Sequence, residues 1–311
     1  MNGASDRWAR GLRAVNAMCV TPFDVRGRVD EDALARVVDG LAAEEVGVYL
    51  GSFGTGEGHL LRPREVRRLY EVGVAAADRR VPVYAAALGF ASTERVIEQA
   101  LEAADIGVDA VQIHPPRPAA VPVMPRLAEL ERYYADVLGS VRGPIHLSDQ
   151  VVMTGYRLPG DLLGDLVTAF DAIEAVNVSD PDLGEVSRRV ATLGSRVGVR
   201  VGIVAQLPTA LLLGGQGLLC FEADVAPALC REVIDAFRSG DVGRWSLSFE
   251  RLMQLNAALS RAQNPRSVKA AMHLLGMPAG ELRRPYLPLD ESQVHEISEA
   301  LATLGLHQFE R

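Results

Sequence analysis

The chain has 311 residues, of which 48% are apolar, and its formal net charge at pH 7 is −8. This apolar content is enough for one large barrel or two ordinary domains with a substantial core. The acidic balance argues against a nucleic-acid partner, because phosphate binding needs a basic surface. No run approaches the roughly 20 apolar residues that cross a bilayer, so no membrane partner is expected.

The cysteine content predicts a reducing compartment. The three cysteines, Cys19, Cys220 and Cys230, are odd in number and lack metal-type spacing. Free thiols are therefore favoured over a disulfide framework. The first fifteen residues contain no apolar stretch of the kind found in signal peptides. Together these features predict a cytoplasmic protein.

Short apolar runs alternate with amphipathic helical patterns along the first two-thirds of the chain. The runs predict strands at residues 15–20, 46–50, 81–88, 110–113, 144–147, 172–178, 199–204 and 217–221. Helical patterns lie between them, for example at residues 31–44, 63–77, 93–104 and 183–193. Eight strands alternating with helices are typical of an α/β fold of the (β/α)8 TIM-barrel type. A doubly wound sheet is the alternative, but it usually needs fewer strands, and no GxGxxG follows the first run.

The last part of the chain is predicted to be helical throughout. Residues 228–239, 245–262, 267–275 and 291–304 show helical patterns separated by proline-containing segments. We therefore predict two parts, a barrel over residues 12–227 and a C-terminal helical segment over residues 228–311. No internal repeat or low-complexity tract interrupts them.

Polar residues follow the predicted strands, where the chemistry of a parallel barrel is found. His114 and His146 end neighbouring strands, and Asp149 follows the second of them. Either histidine could be a general base near neutral pH, or all three side chains could bind a metal. The structural alternative is that both histidines are simply hydrogen bonded inside the barrel. No HxH or HxxxH spacing favours the metal, so none is expected.

The segment GSFGTGEGHLL, residues 51–61, is the clearest candidate for an anion-binding loop. Its closely spaced glycines allow backbone N–H groups to turn toward a carboxylate or phosphate. Glu57 within it could be a base, but a buried carboxylate bonded to loop amides is the commoner role. His59 is expected at the rim.

Several segments, in order, resemble the dihydrodipicolinate synthase / N-acetylneuraminate lyase family of barrel aldolases. They are AMCVTPFDVRGRVDEDAL, GTGEGHLLRPREVRRL, GVDAVQIHPP, NPRSVKAAMHLLGM and RRPYLPL. The resemblance covers almost the whole chain and implies the barrel fold. It also implies a 2-oxo acid substrate, typically pyruvate, held as a Schiff base on a lysine of the sixth strand.

The sixth predicted strand departs from that pattern. Its segment AVNVSDPDL, residues 175–183, places Asn177 where the resemblance implies the lysine. An asparagine amide is not nucleophilic toward a ketone. Of the 32 basic residues only Lys269 is a lysine, and it matches a position in the C-terminal helices. The chain is therefore expected not to form the imine.

Other positions that the resemblance implies have changed as well. In PIHLSDQVVMTGYRLP, Ser148 aligns with a proton-relaying tyrosine and Met153 with an arginine. Pro116 and Arg117 replace a tyrosine pair near the subunit contact. The carboxylate-binding loop is partly kept, because Gly54 and Thr55 match its two threonines. Expected substrate-binding residues are Gly54, Thr55, Ser179 and Gly202.

The hypothesis is an enzyme that kept the pocket and changed the chemistry. It would act on a small carbonyl or carboxylate compound as a lyase, hydratase, isomerase or cyclase, without a Schiff base and without a cofactor. Asn177 could polarise a carbonyl, and the remaining expected catalytic residues are His146, His114, Ser148 and Asp149. One alternative is a catalytically silent ligand-binding or partner protein of the same fold. The other is a metal-assisted lyase. The resemblance also implies a homodimer or homotetramer.

Overall fold

The computed structural model describes residues 13–86, 88, 92–117 and 124–307, and eight short strands within them form the core. Their residues are almost all buried, as expected for strands covered by helices. The strands are β1 Val15–Ala17, β2 Gly47–Leu50, β3 Val83–Ala85, β4 Ala110–Ile113, β5 Ile145–Gln150, β6 Ile173–Ser179, β7 Gly198–Val201 and β8 Gly217–Cys220.

The strands close into a parallel barrel in chain order, from β1 to β8. The predicted fold class, an α/β (β/α)8 barrel followed by helices, is therefore confirmed. The β5–β6 pairing is the longest, and it pairs Ser148 with Asn177 and Gln150 with Ser179. β6 in turn pairs Asn177 with Arg200 of β7. Since register partners on parallel strands face the same side, these pairs show which side chains share the barrel interior.

Helices follow most strands, and a group of helices follows the last strand. They are α1 Glu31–Ala43, α2 Pro63–Ala77, α3 Thr93–Ile106, α4 Leu127–Ser140, α5 Val151–Thr154, α6 Gly160–Ala169, α7 Leu183–Leu193, α8 Leu207–Leu212, α9 Glu222–Val225, α10 Pro227–Ser239, α11 Val242–Arg261, α12 Arg266–Leu274 and α13 Glu291–Thr303.

Helix α7 illustrates why these segments are helical. Asp182 accepts hydrogen bonds from the backbone N–H groups of Gly184 and Glu185, which caps the first turn. Val186, Val190 and Leu193 recur at helical spacing and are buried. Each such side chain contributes about 1.5–3 kcal/mol when it leaves water. The helix begins and ends where the sequence pattern predicted.

Strand β5 is longer at its carboxyl end than the sequence predicted. The predicted fifth strand ends at residue 147, whereas β5 continues to Gln150 because its partners on β6 continue to Ser179. This extension places Ser148 and Asp149 inside the strand, on its two opposite faces.

The chain divides into two compact units. One contains the described residues between Tyr84 and Leu219, and the other contains those of 13–83 and 220–311. The sequence-based division at residue 227 stays a prediction. Leu12, the first residue of the predicted barrel, lies outside the described residues, and so do residues 308–311, the last four of the predicted helical segment. No helix in the described part of the chain is both long enough and apolar enough to span a membrane.

Candidate active site

Asn177 lies on the interior face of β6. The alternation of side chains along a strand directs Val176 and Val178 to one face and Asn177 to the other. The Asn177 side chain reaches Gln112 of β4, and β5 separates these two strands. A contact that skips a strand in a barrel crosses the interior. Asn177 therefore faces inward and is 1% exposed.

A chain of hydrogen bonds fixes the orientation of Asn177. Its Nδ2 donates to Gln112 Oε1 at 2.7 Å, and Gln112 Nε2 lies 3.0 Å from His114 Nε2. Because an amide nitrogen can only donate, His114 Nε2 accepts, and the ring proton is on Nδ1. The chain thus fixes both the rotation of the amide and the tautomer of the imidazole.

His114 is held in its neutral form. Burial lowers the pKa of His114 from 6.5 to about 4, and a hydrogen bond to the Ala86 backbone opposes this shift. The Nε2 lone pair is already used by Gln112. His114 is therefore better suited to orient the amide chain than to accept a proton from a substrate.

His146 lies deeper in the barrel and is fully buried. Its ring centroid is 4.6 Å from that of Tyr84 on β3. Burial, followed by repulsion from the Arg200 guanidinium, lowers the pKa of His146 well below its ordinary value. The imidazole is therefore neutral at neutral pH and is a weaker base than an exposed histidine.

Two of the predicted binding residues meet at the carboxyl end of β6. Ser179 and Gly202 are both half-buried, and the Gly202 N–H donates to the Val178 carbonyl at 2.9 Å. A Cβ at position 202 would collide with Ser179 Oγ. Glycine is therefore required for the serine hydroxyl to occupy its observed place.

Asp149 is not brought together with the other predicted catalytic residues. It lies on the opposite face of β5 from Ser148, and its Oδ2 is 3.0 Å from Arg189 Nε of α7. Burial raises the pKa of Asp149, and the Arg189 charge opposes this. The alternative metal set of His114, His146 and Asp149 is thus not assembled. The described residues contain no other group of three or more His, Cys, Asp or Glu side chains placed to hold a metal.

A second ionic contact lies just beyond the strand ends. Arg157 Nε is 2.5 Å from Asp180 Oδ2, and this hydrogen bond is the main cause that lowers the pKa of Asp180. Gln206 Nε2 donates to the Asp180 backbone carbonyl at 2.8 Å. These contacts fix the loop after β6.

Three residues of the interior were missed by sequence reasoning. Gln112, Arg200 and Tyr84 were assigned to apolar strands and given no role. The signal was present for Gln112 and Arg200, because each is a polar residue between apolar neighbours, as Asn177 is. Interior-facing polar residues in a barrel strand are a functional signal wherever they occur.

The anion-loop residues belong to the other compact unit. Thr55 is buried and accepts a hydrogen bond from Asn264 Nδ2 at 2.7 Å. The backbone N–H of Gly56 donates to Ser52 Oγ, and that of Glu57 donates to the Gly54 carbonyl. Among the described residues, none accepts from the N–H groups of Gly54 and Thr55.

In the same unit, Lys269 is buried and saturated with acceptors. Its Nζ lies 2.6 Å from Glu57 Oε1, 2.8 Å from the Thr21 carbonyl and 2.7 Å from the Glu281 carbonyl. An ammonium group has three protons, so all three are donated. Burial lowers the pKa of Lys269, and Glu57 opposes this. Glu57 also accepts from the Arg283 N–H at 3.1 Å, which fits its predicted structural role.

The barrel and its polar interior are those of a TIM-barrel enzyme scaffold. Residues 12–304 match the Dihydrodipicolinate synthetase family, and the chain belongs to this family. The resemblance inferred from the sequence motifs is confirmed.

The chain is similar to 4-hydroxy-tetrahydrodipicolinate synthases of Methanopyrus and Methanococcus species. It is 30% identical to that of Methanopyrus kandleri over 299 residues, which are 95% of this chain and 97% of the relative. It is 29% identical to that of Methanococcus maripaludis (strain C6) over 295 residues, or 95% and 99% of the two chains.

Solved structures support the same assignment. A dihydrodipicolinate synthase crystal structure superposes with a TM-score of 0.86 at 29% identity and covers 95% of this chain and 100% of the other. An E. coli K12 prophage protein of the dihydrodipicolinic acid synthase family, solved in complex with pyruvate, superposes with a TM-score of 0.87 at 25% identity, covering 95% and 100%.

Proposed function

We propose that this protein is a lyase-like enzyme that acts on a small carbonyl or carboxylate compound without a lysine Schiff base. The reaction would be of the lyase, hydratase, isomerase or cyclase type. The observation that carries the proposal is the oriented chain from Asn177 through Gln112 to His114, at the position where relatives are expected to carry the lysine. The saturation of Lys269 by three acceptors supports it.

The proposed role of Asn177 is to polarise a substrate carbonyl. An amide N–H that is already oriented costs no reorganisation when negative charge develops on the carbonyl oxygen. Gln112 and His114 hold that amide in place. Ser148, the register partner of Asn177, is proposed to pass a substrate proton to His146, two residues earlier on the same strand face. His146 would hold this proton only transiently, because its pKa is low. Asp149 is given no role, because it is paired with Arg189.

The proposed ligand is a small 2-oxo acid or a compound like it. The E. coli relative was solved with pyruvate, which makes pyruvate a reasonable probe. Ser179 and Gly202 are proposed to contact the ligand at the end of β6. For Gly54 and Thr55 a role in carboxylate binding stays a prediction, to which their two backbone N–H groups are suited.

Proton exchange tests the proposal without knowledge of the true substrate. In D2O, an enzyme that polarises the pyruvate carbonyl and removes a methyl proton incorporates deuterium, which NMR detects. We expect the wild-type protein to accelerate this exchange and Asn177→Ala to reduce the acceleration by about 10²-fold or more. Gln263→Ala, which removes an exposed amide, is the matched control. Equal exchange rates in wild type and Asn177→Ala would refute the proposal.

Reductive trapping tests the absence of the imine. Borohydride reduces a protonated Schiff base to a stable secondary amine, which raises the protein mass. We expect the mass of the wild-type protein to be unchanged after treatment with pyruvate and borohydride. A specific adduct mapped to Lys269, with activity lost in Lys269→Arg, would show that the chemistry is placed wrongly.

A catalytically silent ligand-binding protein is the second candidate. The observation in its favour is the degree of burial, since Ser148 and His146 are 0% exposed and Asn177 is 1% exposed. A protein that does not catalyse a reaction can tolerate an interior filled by its own side chains. Pyruvate binding without any acceleration of deuterium exchange would favour this candidate.

We also propose a homodimer or homotetramer in the cytoplasm. The family membership supports the assembly, and three buried free thiols, Cys19, Cys220 and Cys230, fit a reducing compartment. Pro116 is half-buried and Arg117 is exposed, so a modified subunit contact at this position is available. A monomer by sedimentation at micromolar concentration would refute the proposed assembly.

A further inference from the structure

A cavity of about 270 Å³ is lined by residues of α1, α9 and α12 and of the turn after α12. All of these residues belong to the compact unit that contains residues 13–83 and 220–311. The volume is close to the lower end of the range for small-molecule pockets, about 300–1,000 Å³, and such pockets are mostly apolar. The apolar side chains that line this cavity are Val37, Leu41, Met272, Leu275, Met277 and Pro278.

One buried carboxyl group also lines the cavity. Asp224 is 2% exposed, and its Oδ1 accepts from the Val20 N–H at 3.2 Å. Its Oδ2 is buried and has no hydrogen-bond partner among the described residues. An unpaired buried polar atom is costly, so each one calls for an explanation. A ligand in the cavity would supply the missing partner.

The Asp224 carboxyl is a hydrogen-bond donor at neutral pH. Burial raises its pKa from 3.8 to about 8, the Val20 N–H opposes this shift, and the charge of Glu222 adds to it. The group therefore keeps its proton at pH 7. Because Oδ1 already accepts from Val20, Oδ2 is the oxygen left to carry the proton and to donate it to a ligand.

The other ionisable groups around Asp224 do not favour a cationic ligand. Burial raises the pKa values of Cys19 and Glu222, so the thiol is neutral and ionisation of Glu222 is disfavoured. In the cavity lining, Glu44 is paired with an arginine of α10, and Arg36 is exposed. The Arg36 charge at the edge of the cavity repels a cation.

We propose that this cavity binds a small, uncharged, apolar molecule whose carbonyl or other acceptor oxygen accepts a hydrogen bond from Asp224 Oδ2. None of the residues that carry this proposal takes part in the proposed reaction, so the two proposals can fail separately. The alternative is a core carboxyl bonded to a buried water molecule. That alternative predicts no selective binding of apolar compounds that carry an acceptor.

The test compares three probes of similar size by ligand-observed NMR titration of the full chain at about pH 6.5. Acetophenone carries an acceptor oxygen, isopropylbenzene carries a methyl group in its place, and 1-phenylethylamine is a cation. We expect acetophenone to bind about tenfold more tightly than either of the others. Equal binding of acetophenone and isopropylbenzene, tighter binding of the amine, or no binding of any probe overturns the proposal.

Two substitutions of Asp224 separate its hydrogen bond from its charge. The wild type should lose the preference for acetophenone at about pH 9.5, because the carboxyl ionises. Asp224→Asn keeps an N–H donor that does not titrate, so its preference should persist at that pH. Asp224→Leu removes the donor and should bind acetophenone and isopropylbenzene alike. A wild-type preference that is unchanged at about pH 9.5 overturns the role of Asp224.

Gly40→Leu tests the place of binding without altering Asp224. Gly40 lines the cavity, and a Cβ added there meets no atom within 4 Å. Leucine also has a higher helix propensity than glycine, so we expect a folded variant that fills part of the cavity and binds acetophenone about tenfold more weakly. Gly139→Leu, at a similarly open position of α4, is the matched control and should bind as the wild type does. Equal binding by the two leucine variants overturns the proposal, whether or not the Asp224 variants fold.

Discussion

Lys269 and Glu57 form a buried ion pair, with Nζ 2.6 Å from Oε1 and side chains that are 4% and 0% exposed. Two carbonyl oxygens, of Thr21 and Glu281, complete the bonding of the ammonium group. The only lysine of the chain thus has a structural explanation that needs no catalysis.

We expect Lys269→Met to lower the free energy of unfolding by about 3–5 kcal/mol, because it leaves the Glu57 carboxylate buried without its charged partner. Glu57→Gln should also be destabilising, and the double variant should cost less than the sum of the two. Urea denaturation measures these values. Arg95→Met, which breaks the exposed pair with Glu98, should cost no more than about 1 kcal/mol. Equal costs at the two sites would contradict the buried-pair interpretation.

Because the pKa values of the two barrel histidines are lowered in the folded protein, we expect the free energy of unfolding to fall in acid. Burial lowers the pKa of His114 from 6.5 to about 4, so between these values the unfolded chain binds a proton that the folded chain does not. The stability that this group contributes is therefore complete above 6.5 and is lost as the pH falls toward 4. The slope approaches about 1.4 kcal/mol per pH unit for each such histidine.

We expect His114→Gln to flatten this dependence relative to the wild type. Glutamine can still accept from Gln112 but does not titrate in this range. Denaturation at about pH 7 and about pH 5 measures the difference, in which contributions shared by both proteins cancel. An unchanged slope would mean that folding does not lower the pKa of His114.

The fold was predictable because alternation and strand count are properties of the whole chain, and they survive errors of one or two residues. The site was less predictable, because the direction of a side chain changes when a strand boundary or register is wrong by a single residue. Asp149 was expected with the catalytic residues because the strand was expected to end at residue 147. Once β5 continues to Gln150, a shift of one residue places Asp149 on the outer face, beside Arg189. The place of Arg200 beside Asn177 depends on the register of β6 and β7, which a single sequence does not reveal.

Asp224 predicts the opposite pH dependence from the histidines. It is 2% exposed, and burial raises its pKa from 3.8 to about 8. Between these values the folded chain keeps a proton that the unfolded chain has lost, so stability falls as the pH rises toward 8. An asparagine at this position would not titrate, and its side-chain oxygen could still accept from the Val20 N–H.

We therefore expect the stability of Asp224→Asn relative to wild type to increase with pH, by up to about 1.4 kcal/mol per pH unit, and to level off above pH 8. Thermal or urea unfolding of both proteins at about pH 5 and about pH 8 measures this difference. A difference that is the same at both values would show that Asp224 is ionised in the folded protein.

We expect a lysine at position 177 to restore formation of the imine with pyruvate but not aldolase activity. In Asn177→Lys the new amine lies beside the Arg200 cation in a dry interior, which lowers its pKa and favours the nucleophilic form. We expect a borohydride-trapped pyruvate adduct at position 177, detected by mass spectrometry. Robust pyruvate lyase turnover should be absent, because Ser148 and Met153 replace the relay tyrosine and the arginine implied by the family. Robust turnover from the single change would refute the idea of a rebuilt pocket.

The close approach of Gly202 to Ser179 Oγ imposes an order on how this site can be altered. A side chain introduced at position 202 first displaces the hydroxyl, so that substitution alone harms the site it is meant to reshape. If Ser179 is shortened to glycine beforehand, the same substitution finds space. Laboratory evolution by single steps should therefore favour paths that change 179 before 202, and libraries that randomise both positions together should recover variants that sequential screening finds less often.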